Sequence, residues 1–198
     1  WVFKKAPAGK ELAVNAPKWE SGWTEVEIPH TWNAKDMQVQ FDNFYEGPAY
    51  YKKHYFFPVE MKGKRVFLRF EGVNGSLVAT HKGAYSAFSC EIGTVLKPGA
   101  DNEIIVKADN ASRPDVIPVN HVLFGVYGGM YRPVWLIVTD PYNICVTDCA
   151  SSGVYITQKN VSQKQADVKV KVKLDNGTLQ PAPLTLQNTI YDQEGKQV

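Results

Sequence analysis

Apolar positions fall along this chain in short runs separated by turn signals. Val66-Phe67-Leu68-Arg69-Phe70 and Ile104-Ile105-Val106-Lys107-Ala108 predict strands. Val134 to Thr139 is apolar on both faces and predicts a central strand. Val168 to Leu174 alternates Val and Lys, which assigns one face to a core and the other to water. Leu184 to Tyr191 alternates less strictly. Turn chemistry lies between these runs, at Met61-Lys62-Gly63-Lys64, Lys97 to Asn102, Asp175-Asn176-Gly177 and Asp192-Gln193-Glu194-Gly195. No window of useful length has helical periodicity. The pattern predicts an all-β chain built as a sandwich or jelly roll.

Texture changes near Asp140–Asn143, where Trp, Tyr, Phe and His give way to plain Val/Lys alternation. This places one unit at residues 1–142 and a second at 143–198. An immunoglobulin-type sandwich needs roughly seven strands and about 100 residues. The second unit supplies fewer, so it reads as a domain cut short at Val198, with an unpaired strand edge and an uncovered apolar face.

Composition narrows the function classes. The 198 residues are 44% hydrophobic, enough for a packed core, and the net charge of +2 gives no reason to expect nucleic acid or an anionic membrane as partner. No apolar run approaches the length of a membrane span, and Trp1 already opens what reads as folded sequence rather than a signal peptide. The cysteines (Cys90, Cys145, Cys149) lack the partners of a zinc site and read as buried or idle thiols; a Cys145–Cys149 bridge would need a tight turn. His30, His54, His81 and His121 are scattered, so no metal site and no cofactor is expected. Gly125, Gly128 and Gly129 precede a strand, whereas a phosphate-cradling loop opens a helix. The Asn-x-Ser/Thr triplets at Asn74, Asn110, Asn160 and Asn176 are short enough to arise by chance.

The richest stretch is Phe124 to Leu136, an aromatic loop with paired glycines that runs into an apolar strand. Paired glycines let a backbone bend or approach a neighbour closely, and the rings beside them suit stacking or packing. The His30 imidazole reads as a tie from its loop to backbone groups, Trp32 as core, and Asn33 and Asp36 as turn residues bonding their own backbone. Of Tyr50 and Tyr51, one ring should enter the core and one face out. Arg132 reads as a structural ion-pair partner.

Five motifs run in series: Val26-Glu27-Ile28-Pro29-His30-Thr31-Trp32-Asn33, Tyr45-Glu46-Gly47-Pro48-Ala49-Tyr50-Tyr51-Lys52-Lys53, Arg65 to Val73, His81 to Phe88, and Gly128-Gly129-Met130-Tyr131-Arg132-Pro133-Val134-Trp135-Leu136. In order and spacing they resemble the N-terminal part of family 2 glycoside hydrolases, the β-galactosidase, β-glucuronidase and β-mannosidase group. The resemblance implies a galactose-binding-like jelly-roll β-sandwich followed by a partial immunoglobulin-like β-sandwich. It also implies a (β/α)₈ barrel elsewhere in the polypeptide, carrying the paired glutamates of a retaining glycosidase. Nothing in these 198 residues could be that barrel, so no catalytic residue and no hydrolytic activity is expected here.

By the same resemblance the partners are a carbohydrate, a β-galactoside or related glycoside, and the barrel of the same polypeptide; a homo-oligomer is compatible with it. Candidate sugar contacts are Glu46, Asn120, His121 and Tyr127, set against the competing readings of an exposed loop carboxylate and of groups that pin a loop to the barrel. The sequence departs from the family at two places. Asn74-Gly75 follows Val73 where relatives spend another strand, and Leu123 stands where relatives carry an acidic sugar contact, a place that Asn120, His121 or Asp115 would have to fill. A free-standing carbohydrate-binding module and a protein-interaction sandwich are the alternatives.

Overall fold

The structure, a computed structural model, describes residues 1–7, 12, 21–36, 44–70, 79–83, 85–117 and 126–197. It is all-β: among the described residues there is no α-helix, and a 3-10 turn lies at Val59–Met61. A four-stranded antiparallel sheet has the order β2 (Thr24–Glu25), β1 (Val2–Lys5), β4 (Pro48–Phe57), β7 (Ala100–Asp109). A three-stranded sheet has the order β6 (Phe88–Glu91), β5 (Arg65–Phe70), β9 (Val134–Thr139). A short pair joins β3 (His30–Thr31) to β8 (Gly129–Met130).

The long β4–β7 ladder, from Pro48↔Asp109 to Phe57↔Ala100, shows how alternation builds the sandwich. Ala49, Tyr51 and Phe57 point to one face and meet Val66, Leu68 and Phe70 from β5 in a single core. Burying rings of this size is the largest stabilising term available to a sheet pair. Tyr50 alternates to the other face but does not reach water, because Ala6, Leu12, Trp23 and Ile105 cover it. Both tyrosines are therefore buried, contrary to the one-in, one-out expectation. Trp23 closes this second layer with the Lys52 ammonium 4.9 Å from its ring, while Lys52 also pairs with Glu103 at 3.6 Å.

Three other expectations need correction. Val134 to Thr139 lies at the edge of its sheet among the described residues, and the central strand is Arg65–Phe70. The outward face of β9 carries Trp135, 53% exposed. The Val/Lys segment forms β12 (Asp167–Val172), paired with β11 (Val154–Lys159), yet no side chain of the hairpin is buried on either face. Leu184 to Tyr191 forms no ladder and holds only the isolated bridge Tyr191↔Gln197. Of the described residues beyond 141, the buried hydrophobic ones are Cys145 and Ala150. All three cysteines are free thiols, with Cys90 and Cys145 buried and Cys149 exposed.

Arg65 ties the two stretches together. Its guanidinium makes a two-pronged pair with Glu91 (2.9 and 2.7 Å), reaches Asp175 at 3.5 Å and donates to Asn143 Oδ1 at 3.1 Å. Asp175 belongs to β13 (Leu174–Asn176), which pairs with β10 (Tyr142–Ile144). Gly177 lies so close that a Cβ there would sit 2.6 Å from Arg65 Cδ.

Candidate functional site

Four segments meet at the end of the sandwich where β4 begins and β7 finishes. They are the turn after β3, the Phe44–Gly47 loop, Asn110 at the end of β7, and the approach to β8. Ladders stop here, so these loops need other partners for their backbone groups. Two buried amides supply them.

Asn33 is 0% exposed and Asn110 2%. Asn33 Oδ1 accepts from Gly128 N–H at 2.8 Å, and its Nδ2 donates to Tyr45 O at 3.0 Å and Asp36 Oδ2 at 2.7 Å. Asn110 Oδ1 accepts from Gly47 N–H at 2.9 Å, and its Nδ2 donates to Val126 O at 2.8 Å and to Tyr45 O at 3.2 Å. The two amides also touch each other, Asn110 Nδ2 to Asn33 Oδ1 at 3.2 Å. A primary amide offers two donors and an acceptor on one planar group, and here all of them are used. Asn33 is thus more than a turn residue bonding its own backbone.

Below the amides the packing tolerates no added atom. A Cβ at Gly128 would fall 1.9 Å from the Trp32 ring, and one at Gly129, where φ is +137°, would fall 2.3 Å from His30 O. Gly128 O accepts from Trp32 N–H at 3.2 Å and from Thr31 Oγ1 at 2.8 Å. The His30 ring meets a side chain rather than backbone: Nδ1 lies 2.7 Å from the Tyr51 hydroxyl. Burial, helped by Lys5, lowers the His30 pKa. Burial also pushes Tyr51 well above the ordinary phenol range, against the smaller opposing effect of the Met130 N–H. Tyr45 is fixed by its hydroxyl, which donates towards Pro48 O (2.8 Å) and Ala6 O (3.0 Å).

On this base stand two exposed side chains. Glu46 lies between the anchored Tyr45 and Gly47, and Tyr127 lies between the anchored Val126 and Gly128. The Tyr127 ring meets Phe44 edge to face, with centroids 6.2 Å apart. A carboxylate can accept hydroxyl protons, and an aromatic ring can stack on an apolar ring face.

No protein-family model matches the chain. A β-glucuronidase of Bacteroides fragilis is 40% identical over 159 residues, which cover 76% of this chain and 23% of that protein. A solved Bacteroides fragilis structure, provisionally assigned as a β-galactosidase, is 64% identical with a TM-score of 0.91 and covers the whole of this chain and 31% of that one. The structure of a β-glucuronidase from glycoside hydrolase family 2 covers the whole chain and 23% of its own at 26% identity and a TM-score of 0.73. The chain belongs to glycoside hydrolase family 2. It spans less than a third of the length of each of these family 2 relatives.

Within this family 2 chain, Glu46 and Tyr127 come to the same end of the sandwich on neighbouring loops. Asn120 and His121 lie outside the described residues, as do Leu123, Phe124 and the Val73–Asn74 shortening. Asp115 is exposed and engaged by Arg113 (2.9 Å) and Lys82 (2.7 Å), which hold its carboxyl far below the usual range. Arg132 is exposed and forms no ion pair among the described residues. Sequence reasoning missed the role of Asn110, whose only visible signal was its place directly after a long strand. No group of His, Cys, Asp and Glu among the described residues could hold a metal ion. A separate groove of about 680 Å³ lies between Trp1, Glu25, Glu27, Lys53 and Trp135, and neither Glu46 nor Tyr127 lines it.

Proposed function

We propose that this chain is the non-catalytic front of a β-galactosidase-like exo-glycoside hydrolase. Residues 1–142 form the sugar-binding jelly roll and 143–198 the beginning of an immunoglobulin-like unit. Together they support a (β/α)₈ barrel supplied by the rest of the polypeptide and wall one side of its pocket. The observation that carries the reading is the pair of anchored loops presenting Glu46 and Tyr127 at one end of a family 2 sandwich. In this reading Glu46 accepts from substrate hydroxyls, Tyr127 packs on the sugar face, and Asn120 and His121 add directional bonds. The two paired glutamates that cleave the bond belong to the barrel. The 198 residues hold no βα alternation, so they bind and shape without cleaving.

The test compares the 198-residue chain with the whole polypeptide on nitrophenyl β-galactoside and β-glucuronide. Turnover by the whole protein and none by the chain is the expected result, with the galactoside as the better substrate. Hydrolysis by the isolated chain would overturn the proposal. The groove bounded by Trp1 and Trp135 favours a second reading, a carbohydrate-binding module that acts without the barrel. Saturable binding of galactosides to the chain alone, lost in Trp135→Ala, would select it.

A further inference from the structure

We infer that Asn33 and Asn110 work as one positioning unit that sets the spacing between Glu46 and Tyr127. The inference rests on the sugar-contact reading just given and adds to it two residues that touch no sugar. Its physical basis is where the hydrogen bonds fall. Glu46 is flanked by Tyr45 O and Gly47 N–H, and both are held by these amides. Tyr127 is flanked by Val126 O and Gly128 N–H, and both of these are held as well. Each amide spans the two loops. Asn33 joins Tyr45 to Gly128, and Asn110 joins Gly47 to Val126.

The crossed arrangement leaves neither loop able to shift alone. A movement of the Glu46 loop pulls on both amides, and through them on both sides of Tyr127. Backbone pairing cannot do this work, because the β3–β8 ladder stops after two residue pairs, at Thr31↔Gly129. Nor can another side chain. Aspartate lacks the donor and leucine lacks both functions, and each would strand backbone groups in a site that water does not reach. The carboxylate and the ring are therefore prearranged by the sandwich itself, which lowers the ordering cost of binding.

The experiment uses the whole polypeptide and whichever of nitrophenyl β-galactoside or β-glucuronide it hydrolyses. Asn110→Asp and Asn33→Asp are expected to raise KM about tenfold with kcat changed by less than about threefold, the signature of lost ground-state positioning. In a Glu46→Gln, Tyr127→Ala background the same substitutions should raise KM by less than about twofold, since nothing remains to be positioned. Val66→Ala, a core truncation on β5 opposite Val138, controls for lost stability and should lower Tm with KM unchanged. If an aspartate variant does not fold, Asn33→Ser, which keeps an acceptor for Gly128, replaces it. Unchanged KM in folded Asn33 or Asn110 variants, or an equal KM rise in Val66→Ala, overturns the inference. The sugar-contact reading fails separately, if Glu46→Gln and Tyr127→Ala leave KM unmoved.

Discussion

Residues 1–140 and residues 142–197 carry the same kind of strand pattern and meet different fates. In the first stretch alternation feeds a core: Tyr51 and Phe57 on β4 face Val66 and Leu68 on β5, all of them buried. In the second, Val168 and Val170 alternate just as regularly with lysines and remain exposed, as does Ile156 across the hairpin. Period-two alternation thus names the face that wants cover and says nothing about whether a second layer provides it. The first stretch brings its own second layer, and the second is held by ladders, turns and the Arg65 clamp.

The sharpest way to break this contrast is truncation on each side. Phe57→Ala should destabilise the protein by about 3–5 kcal/mol, because the ring is fully enclosed. Ile156→Ser, at a side chain 64% exposed, should stay within about 0.5 kcal/mol. Urea unfolding of both variants measures the difference, and equal losses would abolish it. A second contrast uses glycines. Gly128→Ala drives a methyl into the Trp32 ring and should cost about 3 kcal/mol. Gly195→Ala meets open space and carries only the left-handed backbone penalty, about 1 kcal/mol.

Between the two stretches, Arg65→Lys keeps the charge and loses the fork that matches Glu91. A loss of about 1–2 kcal/mol is expected, with faster protease cleavage near residues 140–177 as the local readout. The smallest effect is a pH dependence confined to the first stretch. Burial lowers the pKa of His30 and of His81 in the folded state. The unfolded chain therefore takes up protons first, and stability present above the ordinary histidine pKa of about 6.5 is lost as pH falls through the lowered folded values. Tm measured across that window should decline, and His30→Gln should flatten part of the decline. A decline that survives His30→Gln together with His81→Gln would place its origin elsewhere.

How far the sequence reached follows from the same physics. The strands at 66–70 and 104–108 were legible because short apolar runs between glycine and proline turns have few other solutions. The edge position of Val134–Thr139 was not, since a run apolar on both faces does not say which side its neighbours occupy. Tyr50 misled because its cover comes from Leu12 and Trp23, outside any strand paired with it. At the candidate site, Glu46 came into view through the family resemblance and Tyr127 through the glycine-rich aromatic loop, and the structure brings both to one end of the sandwich. The asparagines beneath them were not readable, because their partners are backbone groups as many as 95 residues away in the chain.

Asn110 has one more consequence, for production of the protein. With Ala111 and Ser112 it spells an acceptor signal for N-linked glycans. A eukaryotic secretory host modifies such sites on the nascent chain, before the side chain is enclosed. An oligosaccharide there would leave no room for the amide's three backbone partners, so secreted yeast or insect-cell material should misfold where bacterial cytosolic material does not.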